Sequence, residues 1–145
     1  MKKCDNDLFY LCSLIEYIAR KTYNTKEYVV NKIDKKELEK IYSLAEVYHS
    51  ENIDKVSDEI IKKYSIKKGN YRFDNYKNRI PSYFEIGAVY ERLIKQISMN
   101  ELEYIDNLIK VLTSWIIPKI DNYDSSMYYE NPSYIYECYK EGKVL

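Results

Sequence analysis

Apolar residues recur three and four positions apart along most of this chain, and most such runs follow a residue suited to starting a helix. Leu8, Leu11, Cys12, Ile15, Ile18 and Ala19 form one stripe, with Ser13, Glu16 and Arg20 on the opposite side. That pattern predicts a helix over about 6–22. Asn24 and Glu27 have capping-box spacing before Tyr28, Val29, Val30 and Ile33, which predicts a short second helix. Asp34 and Glu37 repeat the signal, and the apolar residues from Leu38 to Tyr48 cover about 200° of a helical wheel. A helix that apolar is expected to be buried on two sides. Asn52 opens a fourth, amphipathic helix through Tyr64, expected at the surface.

The second half continues in the same way. Ser82 and Glu85 form another capping-box pair ahead of Ile86, Val89, Tyr90, Leu93, Ile94 and Ile97, predicting a helix over about 83–98. Asn100 precedes a broad apolar run from Leu102 to Ile120, expected to be the central helix and to kink near Pro118. A last short helix, about 133–140, has Gly142 to end it. No strand-like alternation and no internal repeat interrupts the pattern. The 145 residues are therefore expected to form an all-α, single-domain helical bundle, 1–145, of six or seven helices around one core.

Composition narrows the chemistry. The chain has eighteen tyrosines but one histidine and three glycines. Gly69, Gly87 and Gly142 are isolated, so no glycine-rich phosphate loop is present. Glu46 and His49 have Glu-x-x-His spacing, but a di-iron site needs a second such motif, so no metal and no cofactor is expected. Cys4, Cys12 and Cys138 lack metal spacing and have no histidine nearby in sequence, which reads as structural thiols. The paired carboxylates Asp58/Glu59 and Asp121/Asp124 read as solvated charge and turn chemistry. The chain is accordingly expected not to be an enzyme.

Twenty-three Lys and Arg balance twenty-three Asp and Glu, so no global field draws the protein to nucleic acid or an anionic membrane. No stretch approaches the roughly 20 apolar residues of a membrane span, and a cytoplasmic location is expected. The second and third helices have roughly helix-turn-helix lengths. The third, however, is apolar around most of its girth and carries Glu37, Glu39 and Glu46 where base-reading residues would stand.

Two segments carry more than a plain bundle requires. In the loop at about 66–81, Lys67, Lys68, Arg72 and Arg79 alternate with Tyr71 and Phe73, the mix of cations and rings that binds single-stranded nucleic acid. In the acidic C-terminal segment at about 121–145, Tyr123, Tyr128, Tyr129, Tyr134 and Tyr136 offer large contact area at low entropy cost, which suits a protein partner. The same tyrosines would also serve a tail that wraps its own bundle. Opposite local charge allows this tail to dock on the basic loop.

Through LFYLCSLIEYIARKT, LAEVYHSENIDKVSDEII, IPSYFEIGAVYERLI and SSMYYENPSYIYECYKEGKVL, the chain resembles a group of small all-helical proteins of low-GC Gram-positive bacteria. That resemblance implies genes lying beside those of an ADP-ribosyltransferase-like toxin. It further implies a role as antitoxin, adaptor or regulator of a toxin or defence cassette, and it assigns no functional residue. The resulting expectation is a non-enzymatic protein-interaction module using the tyrosine-rich segment; the alternative is a nucleic-acid-binding regulator using the loop.

Overall fold

A computed structural model describes residues 6–145. Helices α1 (Asn6–Thr22), α2 (Lys26–Lys32), α3 (Lys35–Ser43), α4 (Ala45–His49) and α5 (Ile53–Lys63) precede a long irregular stretch. After it come α6 (Tyr83–Ile97), a 3-10 turn (Glu101–Glu103), α7 (Tyr104–Leu112), α8 (Ile116–Ile120), a second 3-10 turn (Met127–Tyr129) and α9 (Pro132–Glu141). The described residues thus form an all-α bundle of nine helices and no strand, more and shorter helices than the six or seven expected.

Helices α3, α5 and α6 begin at the side chains that sequence marks for the task, and α9 at Asn131, because these satisfy backbone N–H groups left open at a helix start. Asp34 accepts from Lys36 N, Asn52 from Asp54 N and Asn131 from Ser133 N. Ser82 and Glu85 make both bonds of a capping box, at 3.1 and 3.2 Å. Gly142 ends α9 with φ 78°, the left-handed conformation that glycine adopts without steric penalty. Helix α2 departs from expectation. Thr25 caps it, accepting from Tyr28 N, while Asn24 turns away and donates to the Lys67 carbonyl at 2.8 Å.

Two expected long helices are broken. The third stops at Leu44, and the next turn restarts as α4 with Ala45 inward and Leu44 and Val47 exposed. This segment is therefore not buried on two sides. The run from Leu102 breaks at Thr113 rather than at Pro118: the Thr113 and Ser114 hydroxyls donate to the Ile109 and Val111 carbonyls, both at 2.7 Å, and compete with helix continuation. Pro118 sits in the first turn of α8, where its missing N–H would have had no intrahelical acceptor.

The centre of the bundle is α1, not the Leu102–Ile120 segment. Helix α1 packs on α2, α3, α4, α5 and, most extensively, α6. Gly87 permits that closest approach: a Cβ there would lie 2.5 Å from Ser13 Oγ and 3.1 Å from the Ser13 backbone. Ser13 and Glu16, on the side of α1 expected to be polar, are consequently buried, at 1% and 2% exposure. Among the described residues no helix is long and apolar enough to cross a membrane.

Candidate functional site

The tyrosine-rich segment leaves the core as a chain of rings. Tyr76 meets Tyr123 at 5.2 Å, Tyr123 meets Tyr128 at 5.9 Å and Tyr128 meets Tyr129 at 5.0 Å, each pair edge to face. These arrangements match the quadrupoles of neighbouring aromatic rings. Tyr123 is only 1% exposed, which corrects its assignment to a partner surface: it is a core residue on which the others rest. Tyr128 is half-buried and Tyr129 is 58% exposed. Tyr134 and Tyr136, on α9, are half-buried against the core. Beside Tyr128 a cleft of about 60 Å³ opens between α6 and the start of α9, rimmed by Arg92, Gln96, Glu130 and Pro132.

The basic-aromatic loop is fastened by its backbone. Gly69 N donates to the Thr22 carbonyl at 2.7 Å and Tyr71 N to the Tyr23 carbonyl at 2.9 Å, while Tyr23 itself turns the chain with φ 56°. Gly69 is required by this proximity, since a Cβ would fall 2.6 Å from the Tyr23 oxygen. The loop's rings point inward: Phe73 lies under the Arg20 guanidinium at 4.8 Å, and Tyr71 is half-buried. Burial, with the charge of Asp121, pushes the Tyr71 phenol up to about 12. Arg72 is paired with Asp74 at 3.1 Å, and Arg79 grips Glu85 with two nitrogens, at 3.0 and 2.7 Å. Lys67 and Lys68 are exposed, the latter 5.1 Å above the Tyr23 ring. The rings singled out in sequence are thus half-buried, while Arg72 and Arg79 are held by carboxylates and Lys67 and Lys68 are exposed.

Loop and tail do meet, but not through opposite side-chain charges. Asp124 accepts from the backbone N–H groups of Lys77 and Asn78, both at 2.9 Å, and Asn78 donates to the Tyr123 carbonyl at 3.2 Å. Those two N–H groups hold the Asp124 carboxyl below the usual carboxylate range.

Beneath this junction lies a buried ionic network. Lys26 Nζ stands 2.7 Å from Glu16 and 2.5 Å from Asp121, and Arg20 Nε donates to Glu16 at 2.6 Å. Asp121 also accepts from the Tyr90 hydroxyl, and the Lys26 ammonium lies 5.0 Å from the Tyr90 ring centre. Two carboxylates face two cations, so the cluster is neutral as a whole, the condition under which such charges tolerate burial. Burial opposes ionisation of Glu16, but Lys26 and Arg20 outweigh it and hold the carboxyl below its ordinary range. For Asp121 burial prevails, with Glu16 adding to it against the pull of Lys26, and its carboxyl is raised. The remaining space encloses about 10 Å³, enough for about one water molecule.

Sequence reasoning missed this network. Asp121 reads as a turn residue, Glu16 and Arg20 fall on the side of α1 opposite its apolar stripe, and no spacing singles out Lys26. Elsewhere, Cys12 is fully buried and its thiol is pushed up, by burial first. His49 packs against Tyr10 with ring centres 4.4 Å apart. Among the described residues no three His, Cys, Asp or Glu side chains gather as metal ligands would. Compared with known proteins, the chain matches no family model, no curated protein and no solved structure.

Proposed function

We propose that this is a non-enzymatic protein-interaction module that holds a partner protein through the surface around Tyr129. The observation that carries the reading is the ring chain from the core outward: Tyr129 is exposed, yet it rests edge-on against Tyr128, which rests on buried Tyr123. An aromatic anchor already held in place loses little entropy on binding, and tyrosine and arginine dominate the energetics of protein interfaces. Arg79 lies within electrostatic reach of both phenols, and Arg92 rims the adjoining cleft. The Tyr128 and Tyr129 side chains are the contact pair of this surface; Tyr134 and Tyr136 brace α9 behind it.

The resemblance to small helical proteins encoded beside ADP-ribosyltransferase-like toxins favours a toxin-like enzyme as the partner, with this chain as antitoxin, adaptor or regulator. Co-expression with the products of adjacent genes tests it. A stable complex is expected with at least one of them, weakened about 30-fold by Tyr129→Ala, the effect of losing a hot-spot anchor. Arg92→Ala is expected to weaken the same complex, with helical content unchanged in both variants. Absence of any such complex, or a complex indifferent to both changes, overturns the proposal. The nucleic-acid reading would rest on Lys67, Lys68 and Lys77 without a stacking platform, and it requires binding that weakens steeply with salt.

A further inference from the structure

A second pocket, built from other residues, lies where α1, the α4–α5 turn and α6 converge. Phe9, Tyr10 and Ser13 share one face of α1 because three- and four-residue spacings bring them together. Two ring pairs form its walls: Tyr10 with His49 at 4.4 Å, and Phe9 with Phe84 at 5.9 Å. Tyr48 and Ile53 complete the lining of a half-open concavity of about 220 Å³. That is below the roughly 300 Å³ at which drug-sized ligands begin to fit, so the space suits a small molecule.

One feature gives the pocket a polarity that plain apolar packing would not need. Glu51 stands in its lining, and among the described residues no cation pairs with it. Ser13, whose hydroxyl is turned to Gly87 in the α1–α6 contact, forms the floor. Glu51 and Tyr10 line the same concavity, and after burial the Glu51 charge adds most to raising the Tyr10 phenol to about 12. Ring faces and an unpaired carboxylate at one small concavity are the two elements that attract an organic cation.

We infer that the pocket between Phe9, Tyr10, Tyr48 and Phe84, with Glu51 in its lining, binds a small organic cation of the alkylammonium class. The ammonium lies against the ring faces and opposite the Glu51 carboxylate, and its alkyl part fills the space over Ser13. Phe84 is 47% exposed and Glu51 is exposed, so ligand entry requires no opening of the core.

The test compares choline with 3,3-dimethylbutan-1-ol, which has the same shape without the charge, by nuclear magnetic resonance titration of the full chain. Choline is expected to shift the Phe84 and His49 signals saturably, and the neutral alcohol to bind about fivefold more weakly or worse, as loss of the cation–ring attraction requires. Glu51→Gln is expected to weaken choline while leaving the alcohol unchanged. Equal affinity for the two compounds would make the site a plain apolar hole and overturn the inference. No saturable shift at concentrations on the order of tens of millimolar would overturn it as well.

Discussion

Lys26 and Asp121, near opposite ends of the chain, meet at 2.5 Å inside the fold. Both are almost fully buried, and Glu16 completes the arrangement from α1. Removing one partner from a buried ion pair is far more damaging than replacing the whole, because the remaining charge loses both water and counter-ion. Lys26→Met is expected to destabilise the protein by about 3–5 kcal/mol in urea denaturation. Adding Asp121→Asn should restore part of that loss, since a neutral amide needs no cation. Two losses that simply add would show that the residues do not act as a unit.

Gly87→Ala should be destabilising although alanine is intrinsically better in a helix by about 1 kcal/mol. The added methyl would meet the Ser13 backbone at 3.1 Å as well as its hydroxyl at 2.5 Å, so α1 and α6 must separate. A loss of about 1–3 kcal/mol, the usual range for overpacking, is expected from thermal or urea unfolding. Pairing the change with Ser13→Ala should not recover it, because the backbone contact remains.

Asp124→Ala should release the loop without unfolding the bundle. The two N–H groups it satisfies, on Lys77 and Asn78, would then face solvent. Trypsin cleavage after Lys77 or Arg79 is expected to accelerate several-fold while the global unfolding midpoint moves little, as a local opening predicts. Unchanged cleavage would show that Asp124 does not hold the stretch around Lys77 and Asn78.

Alkali should unfold the protein cooperatively. Burial, then the charge of Glu51, raises Tyr10 to about 12, and a hydrogen bond to Asp54 does the same for Tyr17. Burial drives Tyr90 well above its ordinary value. A phenol raised in the folded state holds its proton where the unfolded chain, titrating near about 10, has lost it. Its contribution is therefore fully present below about pH 10 and lost as pH rises through the folded values. Absorbance at the phenolate band should rise in two phases, the later one coinciding with loss of helical circular dichroism near pH 12. A single phase near pH 10 with the helix signal intact would contradict the burial.

Much of this architecture is readable from local chemistry. Asp34, Asn52, Ser82 with Glu85, and Gly142 mark helix ends that the structure places within a residue or two, because a cap depends on neighbours in sequence. What escapes is decided at a distance. Thr25 caps α2 instead of Asn24 because Asn24 is drawn to the Lys67 carbonyl. Leu44, Val47 and Leu102 continue apolar patterns yet are exposed, since helix breaks turn those positions outward. The loop and the tyrosine segment stand out in sequence, but their burial pattern does not. Tyr71, Phe73 and Tyr123 gather around a polar floor of Glu16, Arg20 and Lys26, of which periodicity places Glu16 and Arg20 on the side of α1 away from its apolar stripe.

The neutral core cluster also bears on how the chain matures. Synthesis proceeds from the amino terminus, so Glu16, Arg20 and Lys26 leave the ribosome well before Asp121. Until that residue appears, the cluster holds two cations against one carboxylate, an excess positive charge that resists removal from water. Helices α1 to α7 can form and collapse while the polypeptide is growing, but the space around Lys26 cannot close dry. Final consolidation awaits Asp121 and is governed by a contact of long sequence separation, the kind that slows folding.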